Sequence, residues 1–173
     1  MVVVSGVVYQ VAHTGTVTVA PPDAQTPFAC VTWFEPDVMF DVGPTPRAVF
    51  ERTMQWKNPA PERVQPLRIR GNFTRLTLRS VPAQREPYPP LAQVVAEQQQ
   101  VWERNGLRGT LVGFHIPKAL AGAAPEGFHL HFLSDDARVG GHVLDFELLG
   151  GRIELDTTPV AQVFLPPPVP KQP

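Results

Sequence analysis

The sequence predicts an α+β fold that is mostly β, with a curved mixed or antiparallel sheet, or a barrel-like one, and two short helices. Short runs of β-branched residues alternate with glycine-bearing turns along most of the chain, which is the pattern of short strands. Two stretches instead carry apolar residues at helical spacing after a proline. The 21 prolines among 173 residues interrupt helices and keep strands short.

The first part of the chain predicts strands followed by one helix. Residues 1–20 have a hairpin pattern, in which "VVV", "VVYQVA" and "VTVA" are separated by the turns "SG" and "HTG". The apolar run "FACVTWF" (28–34) predicts a strand that is buried on both faces. The segment "TPRAVFERTMQW" (45–56) predicts a helix with Thr45 as N-cap and Pro46 at the first helical position.

The rest of the chain predicts a second helix among strands. "PLRIRGNFTRLTLRSV" (66–81) alternates as two strands interrupted at Gly71 and Asn72, and "PPLAQVVAEQQQVWE" is a second short helix after a proline start. Four closing strands are expected at "GTLVGFHIP", "GFHLHFL", "GHVLDFELL" and "RIELDTT". We therefore expect a single domain over residues 1–164, followed by an extended, proline-rich tail at 165–173.

Composition narrows the classes of protein to consider. Fifteen basic against 16 acidic residues give a net charge of -1, and without a Lys/Arg run we expect no nucleic-acid partner. Apolar runs far shorter than about 20 residues predict no membrane span. Because Cys30 is the single cysteine, no internal disulfide can form, and a cytoplasmic location is expected. Cys30 itself is predicted to be a small core residue.

Three of the five histidines lie in "GFHLHFLSDDARVGGHVLDFEL" (127–148). His129 and His131 are two residues apart in a predicted strand and should face the same side. The turn-forming "SDDARVGG" lets the chain return as an antiparallel strand that begins at His142. A His-x-His pair alone is more often a packed core feature, but a third imidazole on the returning strand favours a metal site. Three nitrogen ligands suit zinc and leave coordination open for water or substrate.

Nearby polar residues have less specific interpretations. Strict alternation along the returning strand predicts that Asp145 and Glu147 face away from His142. His115 is expected to pack against apolar neighbours, and Asp135 and Asp136 to form the turn.

Several segments together resemble the acetolactate decarboxylase family. "GFHLHF" and "GGHVLDFEL" are similar to its metal-binding segment, and the resemblance extends in order through "TPFACVTWFEPD", "RSVPAQREPYPPL" and "GTLVGFHIP". It implies that His129, His131 and His142 are zinc ligands and that Arg79 is the catalytic arginine. By spacing alone, Arg68, Arg70 and Arg75 remain alternatives to Arg79.

The resemblance also implies an activity. Members of the family convert 2-acetolactate, a 2-hydroxy-3-oxo acid, to acetoin and carbon dioxide through a metal-stabilised enediolate. A homodimer with Zn²⁺ as cofactor and a small-molecule substrate is expected on the same ground. A guanidinium suits the substrate carboxylate because it offers a fixed fork of donors.

Two features depart from the family pattern and leave alternatives open. The family has a glutamate just before the strand that begins here at Met1, and another in a C-terminal segment, whereas this chain ends in "PPPVPKQP". The sequence thus resembles a member shortened at both ends. One alternative interpretation is therefore that the chain is a homologue that binds zinc but is impaired in catalysis. A cupin-like metal enzyme is a further alternative, since His-x-His followed by aspartates loosely resembles the first cupin motif, but no second cupin motif follows.

Overall fold

The computed structural model describes residues 1–26, 29–58, 60–120, 126–157, 160 and 162. Its strands are β1 (Val2–Val4), β2 (Val7–Val11), β3 (Val17–Val19), β4 (Val38–Val42), β5 (Thr45–Pro46), β6 (Gln65–Ser80), β7 (Gln100–Ile116), β8 (Gly127–Ser134) and β9 (Gly140–Leu155). Its helices are α1 (Arg47–Lys57), α2 (Leu91–Gln98) and a single 3-10 turn (Lys118–Leu120). None of these described helices has the length and apolar character needed to cross a membrane.

Four long strands, β6 to β9, close on themselves. β6 pairs with β7 along one edge and with β9 along the other. β8 pairs with β7 and, through its second half, with the start of β9. Because each of these strands has two antiparallel partners, they form a small barrel, which β4 and β5 extend along the free part of β9.

The interior of the barrel is an apolar core. Phe73 contacts Phe132 and Phe146 in edge-on arrangements, with ring centroids 5.3 and 6.0 Å apart. Helix α1 contributes Phe50 and Met54, each only 1% exposed, to the same core. Burial of such large side chains supplies the main driving force for folding.

A separate three-stranded meander, β1–β2–β3, packs on the outside of this barrel. Val2 of β1 is buried, and β1 lies against β7 and β8. The Ser80 hydroxyl donates to the Val11 carbonyl at 3.0 Å, and Thr16 forms an isolated bridge with Val139. The meander thus covers the outer face of the barrel where β8 and β9 meet.

The predicted fold class is confirmed: the described chain is mostly β, with curved antiparallel sheets, a closed barrel and two short α-helices. The hairpin pattern of residues 1–20 is also confirmed, and so is a helix after Pro90, although it ends at Gln98 and the last part of the predicted segment, from Gln100, belongs to β7. The proline-rich tail at 165–173 lies outside the described residues, so its predicted conformation stays a prediction.

The buried strand predicted at 28–34 is wrong. Residues 29–34 form no strand, Trp33 is 90% exposed, and Cys30 is exposed rather than part of the core. An apolar run becomes a buried strand only if a sheet edge is available to it, and β4 and β5 take the free part of β9 instead. Phe28 lies outside the described residues.

The predicted start of α1 is also wrong. Thr45 and Pro46 form β5, which pairs with Leu148 and Glu147 of β9, so the helix begins only at Arg47. The Thr45 hydroxyl donates to the Gly43 carbonyl at 2.9 Å and caps no helix N–H. The sheet pairing has overridden a local capping preference.

The two strands predicted over 66–81 are one continuous strand, β6. Two register irregularities in its pairing with β9 fall between Asn72 and Arg75, near the predicted interruption, and a third lies between Thr77 and Leu78; they are bulges rather than a turn. Bulges bend a strand without ending it, which is what a tightly curved barrel requires.

Candidate metal centre

Strand β8 directs two histidines to the outside of the barrel. Leu130 and Phe132, both 0% exposed, point into the core, so His129 and His131 at the alternate positions point outward. The alternation of apolar and imidazole side chains in "FHLHF" therefore fixes both the core contact and the direction of the histidines.

The third histidine lies on the adjacent strand. His142 of β9 is directly opposite His131 of β8 and, on its other side, directly opposite Arg79 of β6. Side chains directly opposite on adjacent strands share a face and lie about 4.5–5.5 Å apart at Cβ. Arg79, His142 and His131 thus form one row across the outer face.

The imidazoles are close enough to share a metal ion. The Nε2 atoms of His129 and His131 are 3.1 Å apart, and one ring nitrogen from each of the three histidines lies within 4.8 Å of the others. The ring centroids of His129 and His131 are 5.2 Å apart, those of His129 and His142 are 4.9 Å apart, and those of His131 and His142 are 5.2 Å apart. A tetrahedral Zn²⁺ with bonds of about 2.0–2.1 Å places its nitrogen ligands about 3.3 Å apart, so this donor set fits such an ion.

The electrostatics keep all three imidazoles neutral near pH 7. Burial, followed by the positive charge of Arg79, lowers the pKa of His142 to about 3. Burial also lowers the pKa of His131 well below its usual value and lowers that of His129, with Arg79 and the Met1 ammonium acting in the same direction. A neutral imidazole has the lone pair that a metal requires, whereas an imidazolium does not.

Arg79 is the arginine that the structure places beside the histidines. Its Nη1 donates to Oε1 of Gln99 at 3.4 Å, and no carboxylate among the described residues forms an ion pair with it. Of the alternatives, Arg68 pairs with Glu154, and Arg75 pairs with Asp145 at 2.8 Å. Arg70 is exposed on β6. Arg79 therefore combines proximity to the histidines with a guanidinium not already held by an acid.

The remaining candidates have structural positions. The His115 ring packs against Phe128, with the two ring centroids 4.8 Å apart, as the predicted packing role requires. Asp136 accepts from the Ser134 hydroxyl at 2.6 Å, and Asp135 pairs with Arg108 at 3.1 Å, so both belong to the β8–β9 turn.

The prediction that Asp145 and Glu147 face away from His142 is wrong for both residues, since Glu147 is opposite Arg75, on the same face of β6 as Thr77 and Arg79. Asp145 is opposite Thr77, His142 is opposite Arg79, and Thr77 and Arg79 share a face of β6. Asp145 and His142 therefore point to the same outer side, because β9 contains an extra, unpaired residue between them. The sequence carried a signal of this bulge: apolar Val143 and Phe146 are three residues apart, which strict alternation cannot bury on one side.

Sequence reasoning also missed Arg47. Its Nη1 donates to the Val143 and Leu144 carbonyls, next to His142. A basic residue at the first position of a helix opposes the helix dipole. That mismatch was the available sign that Arg47 has a partner elsewhere.

The fold and the site together define a class of protein: a small antiparallel barrel with three neutral imidazoles and an arginine on its outer face. The model of the family "Alpha-acetolactate decarboxylase" matches residues 1–169. The alpha-acetolactate decarboxylase of Methylococcus capsulatus is 37% identical over 168 residues, covering 96% of this chain and 64% of that protein. That of Klebsiella aerogenes is 37% identical over 153 residues, covering 87% and 58%.

Solved structures give the same result. The crystal structure of alpha-acetolactate decarboxylase from Bacillus subtilis strain 168 superposes with a TM-score of 0.83 at 31% identity, covering 87% of this chain and 64% of that one. The chain therefore belongs to the alpha-acetolactate decarboxylase family. It spans about three-fifths of the length of these curated relatives.

Proposed function

We propose that this chain catalyses the decarboxylation of 2-acetolactate to acetoin and carbon dioxide, with zinc held by His129, His131 and His142. The observation that carries the proposal is the row of Arg79, His142 and His131 across the outer face, in which a metal-ligand set adjoins a cation suited to a carboxylate. Membership of the family supplies the reaction.

Arg79 would bind the substrate carboxylate. Its guanidinium is half-buried, and its planar fork of donors matches a carboxylate in two parallel hydrogen bonds. Gln99, which accepts from Arg79, would hold the fork in its orientation. A fixed carboxylate places the bond that breaks in one orientation with respect to the histidine cluster.

Zinc, when bound, would supply Lewis-acid stabilisation of the negative charge that develops on the substrate oxygens as carbon dioxide leaves. The protein must then return a proton to the substrate carbon. Arg79 lies in the same row as His142 and His131, so we assign help in delivering this proton to its side of the site.

The first test is acetoin formation from racemic acetolactate by the zinc-loaded chain. We expect turnover in the wild type, its loss in His131→Ala, and wild-type turnover in His13→Ala, which removes an exposed turn histidine instead. Arg79→Lys keeps the charge without the fork and should raise KM and lower kcat. Folded, zinc-loaded protein without turnover would contradict the proposed activity and leave a zinc-binding homologue with impaired catalysis.

We further propose that residues 1–164 act as one domain, in the cytoplasm and as a homodimer. The cytoplasmic location rests on the single cysteine, and the homodimer on the family resemblance. Strand β4 pairs with β9 alone among the described strands and carries Met39 at 58% exposure, so it offers an edge for association. Light scattering coupled to gel filtration measures the mass; a monomer at micromolar concentration would contradict the dimer.

A further inference from the structure

Strand β9 contains a bulge immediately after His142. In its pairing with β6, Thr77 is opposite Asp145 while Leu78 is opposite Val143, so Leu144 has no partner residue on β6. A bulge of this kind inserts one residue into one strand only and redirects the side chains on one side of it.

The bulge decides which way His142 points. Val143 is 1% exposed and Phe146 is 0% exposed, so residues three apart both enter the core. Counting back from Phe146 with unbroken alternation would put His142 inside the barrel as well. The extra residue shifts the alternation of inward and outward side chains by one position, so His142 faces outward beside His131.

Arg47 holds this bulge. Along the second edge of β9, β8 pairs as far as His142 and β5 pairs from Glu147, so neither strand reaches the backbone between them. Nη1 of Arg47 donates into this gap, to the Val143 carbonyl at 3.0 Å and the Leu144 carbonyl at 2.6 Å. Adjacent carbonyls of a regular strand point in opposite directions, so one donor can reach both only at a distortion such as this bulge.

The Arg47 side chain is itself fixed. Its Nε donates to Oε1 of Glu51 at 2.8 Å, one helical turn along α1, and it is 21% exposed. Pro46, immediately before it, pairs with Glu147 in β5, so the start of α1 is tied to the same strand that Arg47 contacts. A guanidinium can bind Glu51 with one nitrogen and the two carbonyls with another, whereas a lysine ammonium offers a single nitrogen.

We propose that Arg47 is a positioning residue of the metal centre: by holding the bulge at Leu144 it keeps His142 on the outer face with His129 and His131. The inference rests on the proposed metal site and adds a residue to it. Arg47 acts on His142 through the Val143 and Leu144 carbonyls of the strand that carries this imidazole.

The test measures zinc affinity by competition with a chromophoric chelator, and the visible spectrum of the Co²⁺-loaded protein, which reports ligand geometry. Arg47→Met should weaken zinc binding by about 10–100-fold, the range found when groups that orient metal ligands are removed. Its Co²⁺ spectrum should change in intensity and position. Glu51→Gln, which leaves both carbonyl contacts in place, should show a smaller loss.

Met54→Ala is the control for a purely structural effect. Met54 lies on the same helix, seven residues after Arg47, is 1% exposed and makes no hydrogen bond to the Val143 or Leu144 carbonyls, so its truncation should lower stability while zinc affinity and the Co²⁺ spectrum stay as in the wild type. If folded Arg47→Met keeps the wild-type affinity and spectrum, the proposal is overturned.

Two further outcomes are distinguishable. If the wild type itself binds no zinc, the proposed metal site fails, and the role of Arg47 fails with it. If Arg47→Met does not fold, Arg47→Lys is measured instead: an intermediate loss of affinity supports the positioning role, and wild-type affinity with a wild-type spectrum contradicts it.

Discussion

Gly113 lies where β7 and β8 approach most closely, and replacing it with alanine should disturb both the barrel and the metal centre. A Cβ at this position would lie 2.0 Å from the His129 carbonyl oxygen and 2.9 Å from the Leu130 Cα. Both are backbone atoms, which cannot rotate away. To restore ordinary contact at 3.4 Å, β8 must move by about 1.4 Å at His129.

Two effects should follow from that displacement. Inserting a methyl group into a packed region typically costs about 1–3 kcal/mol, and backbone atoms on the receiving side place Gly113→Ala at or above the top of that range. Metal sites tolerate errors of only about 0.2 Å in ligand distance, so moving the backbone of His129 should also weaken zinc binding.

Urea unfolding followed by circular dichroism gives the first quantity, and chelator competition gives the second. Gly43→Ala is the matched control, because a Cβ there meets nothing within 4 Å, and it should change the free energy of unfolding by less than about 0.5 kcal/mol. Equal unfolding midpoints and zinc affinities in the two variants would refute the argument from close strand approach.

Three other predictions follow from the core, the ion pairs and the metal. Phe73→Ala should lower the free energy of unfolding by about 3–5 kcal/mol in urea titrations, whereas Val19→Ala, at a side chain 64% exposed, should be nearly silent; similar losses would argue against the assigned core. Burial raises the pKa of Glu154, but its hydrogen bond to Arg68 outweighs this, and the net pKa lies below its usual value. The ionised Glu154 carboxylate therefore stabilises the folded state fully above about pH 4.3, and this contribution is lost as pH falls through the lowered pKa. Glu154→Gln should accordingly make the midpoint of urea unfolding less dependent on pH on the acid side. Parallel plots of midpoint against pH for the wild type and Glu154→Gln would contradict this. Zinc at a hundredfold excess over its Kd should stabilise the protein by about 2.7 kcal/mol, and a chelator should reverse the rise in Tm; a Tm insensitive to both would exclude a native metal site.

The sequence allowed prediction of those features that depend on local periodicity. Alternation in "FHLHF" predicted that His129 and His131 share one face of their strand, and the glycine-bearing turns predicted the N-terminal meander. The three histidines could be expected to converge because an antiparallel return places side chains opposite one another.

The predictions that failed concern features that depend on pairing between segments far apart in the sequence. Whether "FACVTWF" becomes a strand is decided by which segments occupy the free edge of β9, and that edge is assigned by the whole fold. In β9, the side to which each residue after Val143 points depends on one unpaired residue, Leu144. Simple alternation ignores this extra residue and therefore puts Asp145 on the wrong side. Closure of the barrel likewise follows from β8 meeting β9, which sequence patterns left open as a curved sheet or a barrel.

The three imidazoles all come from one hairpin, within residues 129–142, whereas Arg79 comes from a strand separated from it by α2 and β7. Bringing the imidazoles together closes only a short loop, so it costs little conformational entropy of the chain. Arg79, to which we assign recognition of the carboxylate, is brought beside them only when β6 pairs with β9. On the proposed function, substitutions at Arg79 would therefore alter which anion is recognised while the hairpin keeps its three metal ligands, so binding of the ion and choice of substrate would be separable traits, open to independent change during descent.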